Sequence, residues 1–245
     1  MNLDLTKFSE FMRCISIFKD LCNDVDIREG VIRQKTNNEL VVFEVDLNSV
    51  IGNLNVPISH LKEKLDLFRI FIGQNVSIEN NTTTFQFSDM YSSLTIKVPD
   101  KDFIDNKFIS AEDLNNVMST NREDLILSTP IIPIISERIK VVTMGFHVEN
   151  VQVAFTGNEA SLTTTTVSKD LDSSFISDIR TEQEIVCKTN LISIPFIIDH
   201  DGDILFEMFR NGEDRVLSRF STTISDININ LYTRGKLVFN EEELE

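Results

Sequence analysis

Positive charge is what this chain has least of. Its 245 residues carry 23 lysines and arginines against 39 aspartates and glutamates, a formal net charge of −16. Proteins that grip nucleic acid by neutralising many phosphates are strongly basic, so the balance argues against that class. A protein that surrounds or glides on DNA with a small basic surface is still compatible with it. Cysteine is also scarce. Cys14, Cys22 and Cys187 make an odd set without CxxC spacing, which reads as reduced, packed thiols in a cytosolic protein and not as a disulfide framework or zinc site. Eight glycines, five prolines and 25% charged residues are ordinary for an ordered chain, which argues against wholesale disorder.

Catalytic signatures are missing as well. The chain contains no GxSxG, no GxxxxGK followed by Ser or Thr, and no HExxH, so common hydrolase, nucleotide-binding and zinc-protease sites lack support. His60, His147 and His200 are isolated. The one site-like cluster is Asp199-His200-Asp201-Gly202-Asp203. As a calcium loop it fails on spacing, because its glycine comes at the fourth position and Arg210 sits where a bidentate glutamate is needed. An acidic turn between strands is the better account. No cofactor or metal is expected, and the chain reads as no enzyme. The opening MNLDLTKFSE lacks the basic and apolar regions of a secretory signal. No window approaches the roughly 20 apolar residues of a membrane span. The apolar run Ile131 to Ile135 meets Glu137, Arg138 and Lys140 at once. A cytoplasmic protein with no membrane partner is expected.

What is present is one pattern that runs through the chain twice: an amphipathic helix, then short strands joined by hairpins. With 41% hydrophobic residues, the chain can bury a full core, in one large domain or two of about 110 to 120 residues. The steps of three and four between Phe8, Phe11, Met12, Ile15, Phe18 and Cys22 predict a helix over Leu5 to Cys22. Strands Val25 to Arg28, Val31 to Thr36 and Leu40 to Leu47 follow, with turns at Glu29-Gly30 and Asn37-Asn38. A second helix is expected over Ile58 to Ile72, capped by Ser59, with Leu61, Leu65, Phe68 and Ile72 buried. Strands Val76 to Glu79, Thr83 to Ser88 and Tyr91 to Val98 close the first half.

Pro99 to Asp124 breaks the rhythm and is the linker candidate, with a short helix in AEDLNNVM. The second half is expected to hold a strand over Leu125 to Thr129 and a helix over Ile131 to Gly145. Strands are then read at Val148 to Thr156, Ala160 to Ser168, Ile185 to Thr189, Asp203 to Arg210, Arg215 to Ser221 and Ile224 to Thr233. The domain boundaries are 1–99 and 124–240, with a linker at 100–123 and an acidic tail at 241–245.

Each of the three predicted helices nets about one positive charge in a chain that is otherwise anionic. Taken singly, Lys7, Arg13, Lys19, Lys62, Lys64, Arg69, Arg138 and Lys140 read as solvated helix flanks. Their joint placement on helices points to a weak basic surface, able to hold DNA by long-range attraction without reading its sequence.

The order of these elements resembles the repeating unit of DNA sliding clamps. FSEFMRCISIFKDLCNDVDIREGVIRQKTNNELVVFEVDL is similar to the opening of a clamp first domain, as is ISHLKEKLDLFRIF followed by NVSIEN, TTFQFSD and SSLTIKVP. The size matches clamp subunits of T-even-type phages and proliferating cell nuclear antigen, which have two domains per chain and close as trimers. In the second half, Asn190 to Ile198 is short and broken by Pro195, so a second helix is not evident there. T-even-type clamps look similarly reduced.

The resemblance implies an α+β clamp fold of two similar domains, each with amphipathic helices on antiparallel sheets. It also implies a homotrimeric ring around duplex DNA, helices inward and sheet edges paired between copies. Such a processivity factor serves replication by tethering a DNA polymerase near the interdomain linker, and an ATP-dependent clamp loader opens it. In a phage, the place would be the host bacterial cytoplasm. Two other classes compete: a non-enzymatic phage structural protein of β-sandwich type, and a metal-dependent enzyme built on the Asp199 to Asp203 turn.

Overall fold

The computed structural model describes residues 1–19, 21–36, 41–81, 83–98, 108–117, 124–131, 150–156, 159–165, 173–178, 185–189, 204–213 and 215–238. They form an α+β chain whose described strand pairings are antiparallel. The chain divides into two compact units. The first comprises Met1–Glu39, Phe43–Ser110 and Thr223–Ile229, and the second Leu40–Val42, Ala111–Thr222 and Asn230–Glu245.

In the first unit β1 (Asn2–Leu3) leads into helix α1 (Leu5–Ser16). Next come β2 (Val25–Arg28), β3 (Val31–Lys35), β4 (Val41–Asp46), a single helical turn α2 (Asn48–Ile51) and β5 (Val56–Ile58). Helix α3 (Leu61–Phe68) runs into a 3-10 turn at Arg69–Phe71, followed by β6 (Val76–Asn80), β7 (Thr84–Ser88) and β8 (Ser93–Lys97). One sheet has the order β1-β6-β7-β8, and β4-β3-β2-β5 form neighbouring strands of another.

Aromatic rings seat the helices on these strands. Phe18, just past α1, stacks on Phe43 of β4 with centroids 4.3 Å apart, and Phe68 of α3 meets Phe87 of β7 at 4.6 Å. All four are fully buried. Such pairs contribute about 0.5–1.5 kcal/mol each beyond their buried area.

In the second unit α4 (Ala111–Val117) precedes β9 (Leu125–Ile131), β10 (Asn150–Thr156), β11 (Glu159–Thr165), β12 (Ser173–Asp178) and β13 (Ile185–Thr189). The last strands are β14 (Ile204–Arg210), β15 (Arg215–Ile224) and β16 (Ile227–Val238). The order β12-β11-β10-β13-β16 continues through β15 and β14 to β9. Phe206 stacks on Phe220 across β14 and β15 at 4.8 Å, and Glu207 accepts from Arg219 beside them. Asn211-Gly212 makes the hairpin between β14 and β15: the Asn211 N–H donates to the Arg215 carbonyl at 2.9 Å, and Gly212 takes φ 110°.

Five expectations need correction. Helix α1 ends at Ser16, not Cys22. The Ser16 hydroxyl donates back to the Arg13 carbonyl at 2.8 Å, in competition with the helical ladder. Phe18, Leu21 and Cys22 still bury through tighter turns. Ile58 belongs to β5, opposite Val25, so α3 starts at Leu61. Ser59 is not its cap: His60 precedes the helix at φ 52° and reverses the chain. The 3-10 turn then brings Phe71 inward and leaves Ile72 58% exposed. In the second half, Ile131 ends β9 and does not open a helix. The remainder of that predicted helix, the Asn190 to Ile198 segment and residues 199–203 lie outside the described residues. Strands β1, β5 and β12 were not anticipated.

The turn at Glu29-Gly30 is the most constrained of the described turns. Both residues have positive φ, 50° and 75°. A Cβ on Gly30 would sit 2.1 Å from the Gly52 carbonyl oxygen and 2.4 Å from Asn48 Oδ1. The backbone is that close because Gly30 donates to the Leu54 carbonyl and accepts from the Leu47 N–H. Gly30→Ala is therefore expected to destabilise the protein by about 2–4 kcal/mol, combining left-handed strain with a backbone clash. Urea unfolding measures it, and a loss under 1 kcal/mol would contradict the packing described for this turn.

Candidate nucleic-acid interface

Asp4 opens α1 by accepting the Lys7 main-chain N–H at 2.9 Å, a side-chain cap worth about 1 kcal/mol. The helix buries Phe8, Phe11, Cys14 and Ile15, which turns Lys7 and Arg13 to solvent. Lys19 is exposed in the turn that follows. Helix α3 buries Leu61, Leu65 and Phe68, so Lys62 and Arg69 are exposed and Lys64 is half-buried. The helices pack on each other, with Phe8 edge-on to Phe71 at 6.1 Å. Six of the eight predicted cations are thus on or just past these two helices. Arg138 and Lys140 lie outside the described residues.

The layer is cationic by a narrow margin. In the sequence, Lys7, Arg13 and Lys19 stand against Glu10 and Asp20, and Lys62, Lys64 and Arg69 against Glu63 and Asp66. The Arg69 guanidinium is 3.4 Å from the Asp66 carboxylate, with both side chains largely exposed. An ion pair of that kind is held weakly and is screened by salt.

Two features of this surface were not anticipated. Leu67 of α3 and Ile70 of the 3-10 turn are 44% and 53% exposed beside the cations. Leucine and isoleucine at helical spacing read as core in sequence, so nothing flagged them. At the start of α1 an open groove of about 550 Å³ is walled by Asp4, Lys7, Asn75, Ser77, Asp89 and Met90. Two carboxylates against one ammonium make it no anion site.

Among the described residues no group of His, Cys, Asp and Glu is arranged to hold a metal ion. No helix among them is long and apolar enough to cross a membrane.

No protein-family model and no curated protein matches the sequence. Solved structures do match. Proliferating cellular nuclear antigen from Entamoeba histolytica superposes with a TM-score of 0.68 at 9% identity, covering 97% of this chain and 98% of that one. The chain has the DNA sliding-clamp fold. Proliferating cell nuclear antigen from Thermococcus kodakaraensis matches with a TM-score of 0.61 at 8% identity over 95% of this chain and 98% of that one. A complex of two such antigens, PCNA2 and PCNA3, from Sulfolobus tokodaii gives 0.62 at 9% identity over 96% of this chain and 99% of that one. The clamp fold is thus shared along nearly the whole chain at a sequence identity of only 8–9%.

Beneath the cations, burial pushes the Cys14 thiol up to about 12, with Arg13 opposing the rise and Glu10 adding to it. An unfolded chain releases that proton near 9.0. Between those values the unfolded state binds fewer protons than the folded one, so stability falls as pH rises, by at most about 1.4 kcal/mol per pH unit. Chemical unfolding from about pH 8 to 10.5 should show a steeper decline for the native chain than for Cys14→Ala, a divergence of roughly 1 kcal/mol at pH 10. Parallel curves would contradict a thiol buried in the folded helix.

Proposed function

We propose that this chain is one subunit of a DNA sliding clamp, a non-enzymatic ring that encircles duplex DNA and tethers a DNA polymerase as a processivity factor. The observation that carries the reading is the helical layer. In an anionic chain with the clamp fold, Lys7 and Arg13 of α1 and Lys62 of α3 are exposed, with Lys19 and Arg69 exposed just past the helix ends, and the two helices pack on each other. A weakly cationic lining attracts phosphates without fixing any one of them. Anionic charge elsewhere repels DNA from other surfaces. That combination favours sliding over gripping.

The reading extends to assembly. Residues 1–99 and 124–240 act as two clamp domains joined by the 100–123 linker, three copies close the ring, and an ATP-dependent loader opens it. Strand β8 supports this, since among the described residues it ends its sheet with no further strand beside it. Beside it the β7–β8 turn presents Met90 and Tyr91, 80% and 78% exposed. The Asp89 carboxylate accepts the N–H groups of Tyr91 and Ser92 and holds that turn rigid. A terminal strand next to rigid apolar side chains suits pairing with another copy. The assignment of Lys7, Arg13, Lys19, Lys62, Lys64, Arg69, Arg138 and Lys140 to the DNA-facing surface is part of the same proposal.

Reversing Lys7, Lys62 and Arg69 to glutamate tests the lining. The native protein should bind duplex DNA weakly, with equal affinity for unrelated sequences and a steep loss with salt. The triple variant should bind at least tenfold more weakly, its salt slope reduced by about one per cation removed. Undiminished binding would overturn the assignment. Tyr91→Asp tests the ring contact: light scattering should show a mass three times that of the chain for the native protein and a smaller folded species for the variant. A native protein that is monomeric at all concentrations would refute the ring.

A further inference from the structure

The hairpin between β14 and β15 turns at Asn211-Gly212, the one Asn-Gly pair in the chain. The strands beside it are firmly paired, with Leu205 to Arg210 opposite Ser221 to Val216 at six consecutive positions. Phe206, Met208 and Phe209 of β14 are buried, as are Val216, Leu217 and Phe220 of β15. The turn itself is open. Asn211, Gly212 and Glu213 are all exposed. Asn211 is tied to the Arg215 carbonyl by its main-chain N–H, a bond that does not involve its carboxamide. Gly212 takes φ 110°, and a Cβ built there would meet no atom within 4 Å, so the space beside this part of the main chain is free.

We propose that Asn211 is a site of spontaneous deamidation in the folded protein. The Gly212 main-chain nitrogen, on losing its proton to hydroxide, attacks Asn211 Cγ. A C–N bond forms, the bond from Cγ to Nδ2 breaks, and ammonia leaves a succinimide ring behind. Water then adds to the ring. Addition at Cγ reopens the new bond and gives aspartate, whereas addition at the Asn211 main-chain carbonyl breaks the original peptide bond and gives isoaspartate. Net, a water is consumed and an ammonia released. Ring closure requires a main chain free to bend and no Cβ on the following residue to obstruct it, which an exposed loop tip ending in glycine provides. Either product adds a negative charge beside Glu213 and Asp214, and isoaspartate also inserts an extra carbon into the main chain of the turn. Asn48, followed by Ser49, is the opposite case. It opens the helical turn α2, its carboxamide donates to the Asp46 carboxylate at 2.8 Å, and its Oδ1 lies close to Gly30.

Peptide mapping of the full chain by mass spectrometry, after incubation at mildly alkaline pH, tests this with no reference to DNA, so it stands or falls apart from the clamp reading. In the folded protein Asn211 should be converted at least about tenfold faster than Asn48, with isoaspartate the larger product. Unfolding in urea should change the Asn211 rate by no more than about twofold, because the fold gives this turn no protection, and should raise the Asn48 rate about tenfold or more. Asn211→Gln should remove the fast phase of ammonia release. An Asn211 that stays intact in the folded protein but converts in urea would overturn the proposal, since the turn would then shield its carboxamide. So would equal rates at Asn211 and Asn48 in the folded protein, or a fast phase that survives Asn211→Gln.

Discussion

The seating of two short helices by phenylalanine rings is the constraint on which the rest of the first unit depends. Phe18 on Phe43, Phe68 on Phe87 and Phe8 against Phe71 join α1 to β4, α3 to β7 and the helices to each other. At 12 and 8 residues, neither helix would persist alone in water. Burial of one face holds them, and that burial decides which residues face outward. The cationic layer is thus a consequence of packing: Lys7, Arg13, Lys62 and Arg69 are exposed because Phe8, Phe11, Leu65 and Phe68 are not. Cys14 is in the same buried stripe, and its unreactive thiol follows from the same cause.

What sequence could reveal followed the range of the interaction. The β2–β3 hairpin was legible because Glu29-Gly30 supplies a local requirement for positive φ. The strand read at Ile224 to Thr233 was legible in the part that became β16 because Ile227, Ile229 and Leu231 alternate with Asn228 and Asn230, and all three bury. Strand β1 was not, since its two residues become a strand only by meeting Ser77 and Val76, far along the chain. In β5, Ile58 sits at helical spacing from Leu61 and Leu65, and only its pairing with Val25 makes it a strand. The outward cations of α1 and α3 could be read from the helical stripes. The exchange of Ile72 for Phe71 could not, because it depends on the helix tightening into a 3-10 turn.

The electrostatic argument needs both halves of the charge pattern. A helical layer this weakly cationic would hold DNA poorly by itself, with Glu10, Glu63 and Asp66 interleaved among its lysines and arginines. In an enclosing ring, weak attraction is sufficient, because topology supplies retention and the lining need only keep the duplex from sticking.

The most direct test of that account is an image of the purified protein by single-particle electron microscopy. The proposal predicts closed rings of three copies around a central opening wide enough for a duplex, with α1 and α3 lining it. Isolated single chains, or assemblies without a central opening, at concentrations well above those of any working complex would contradict it.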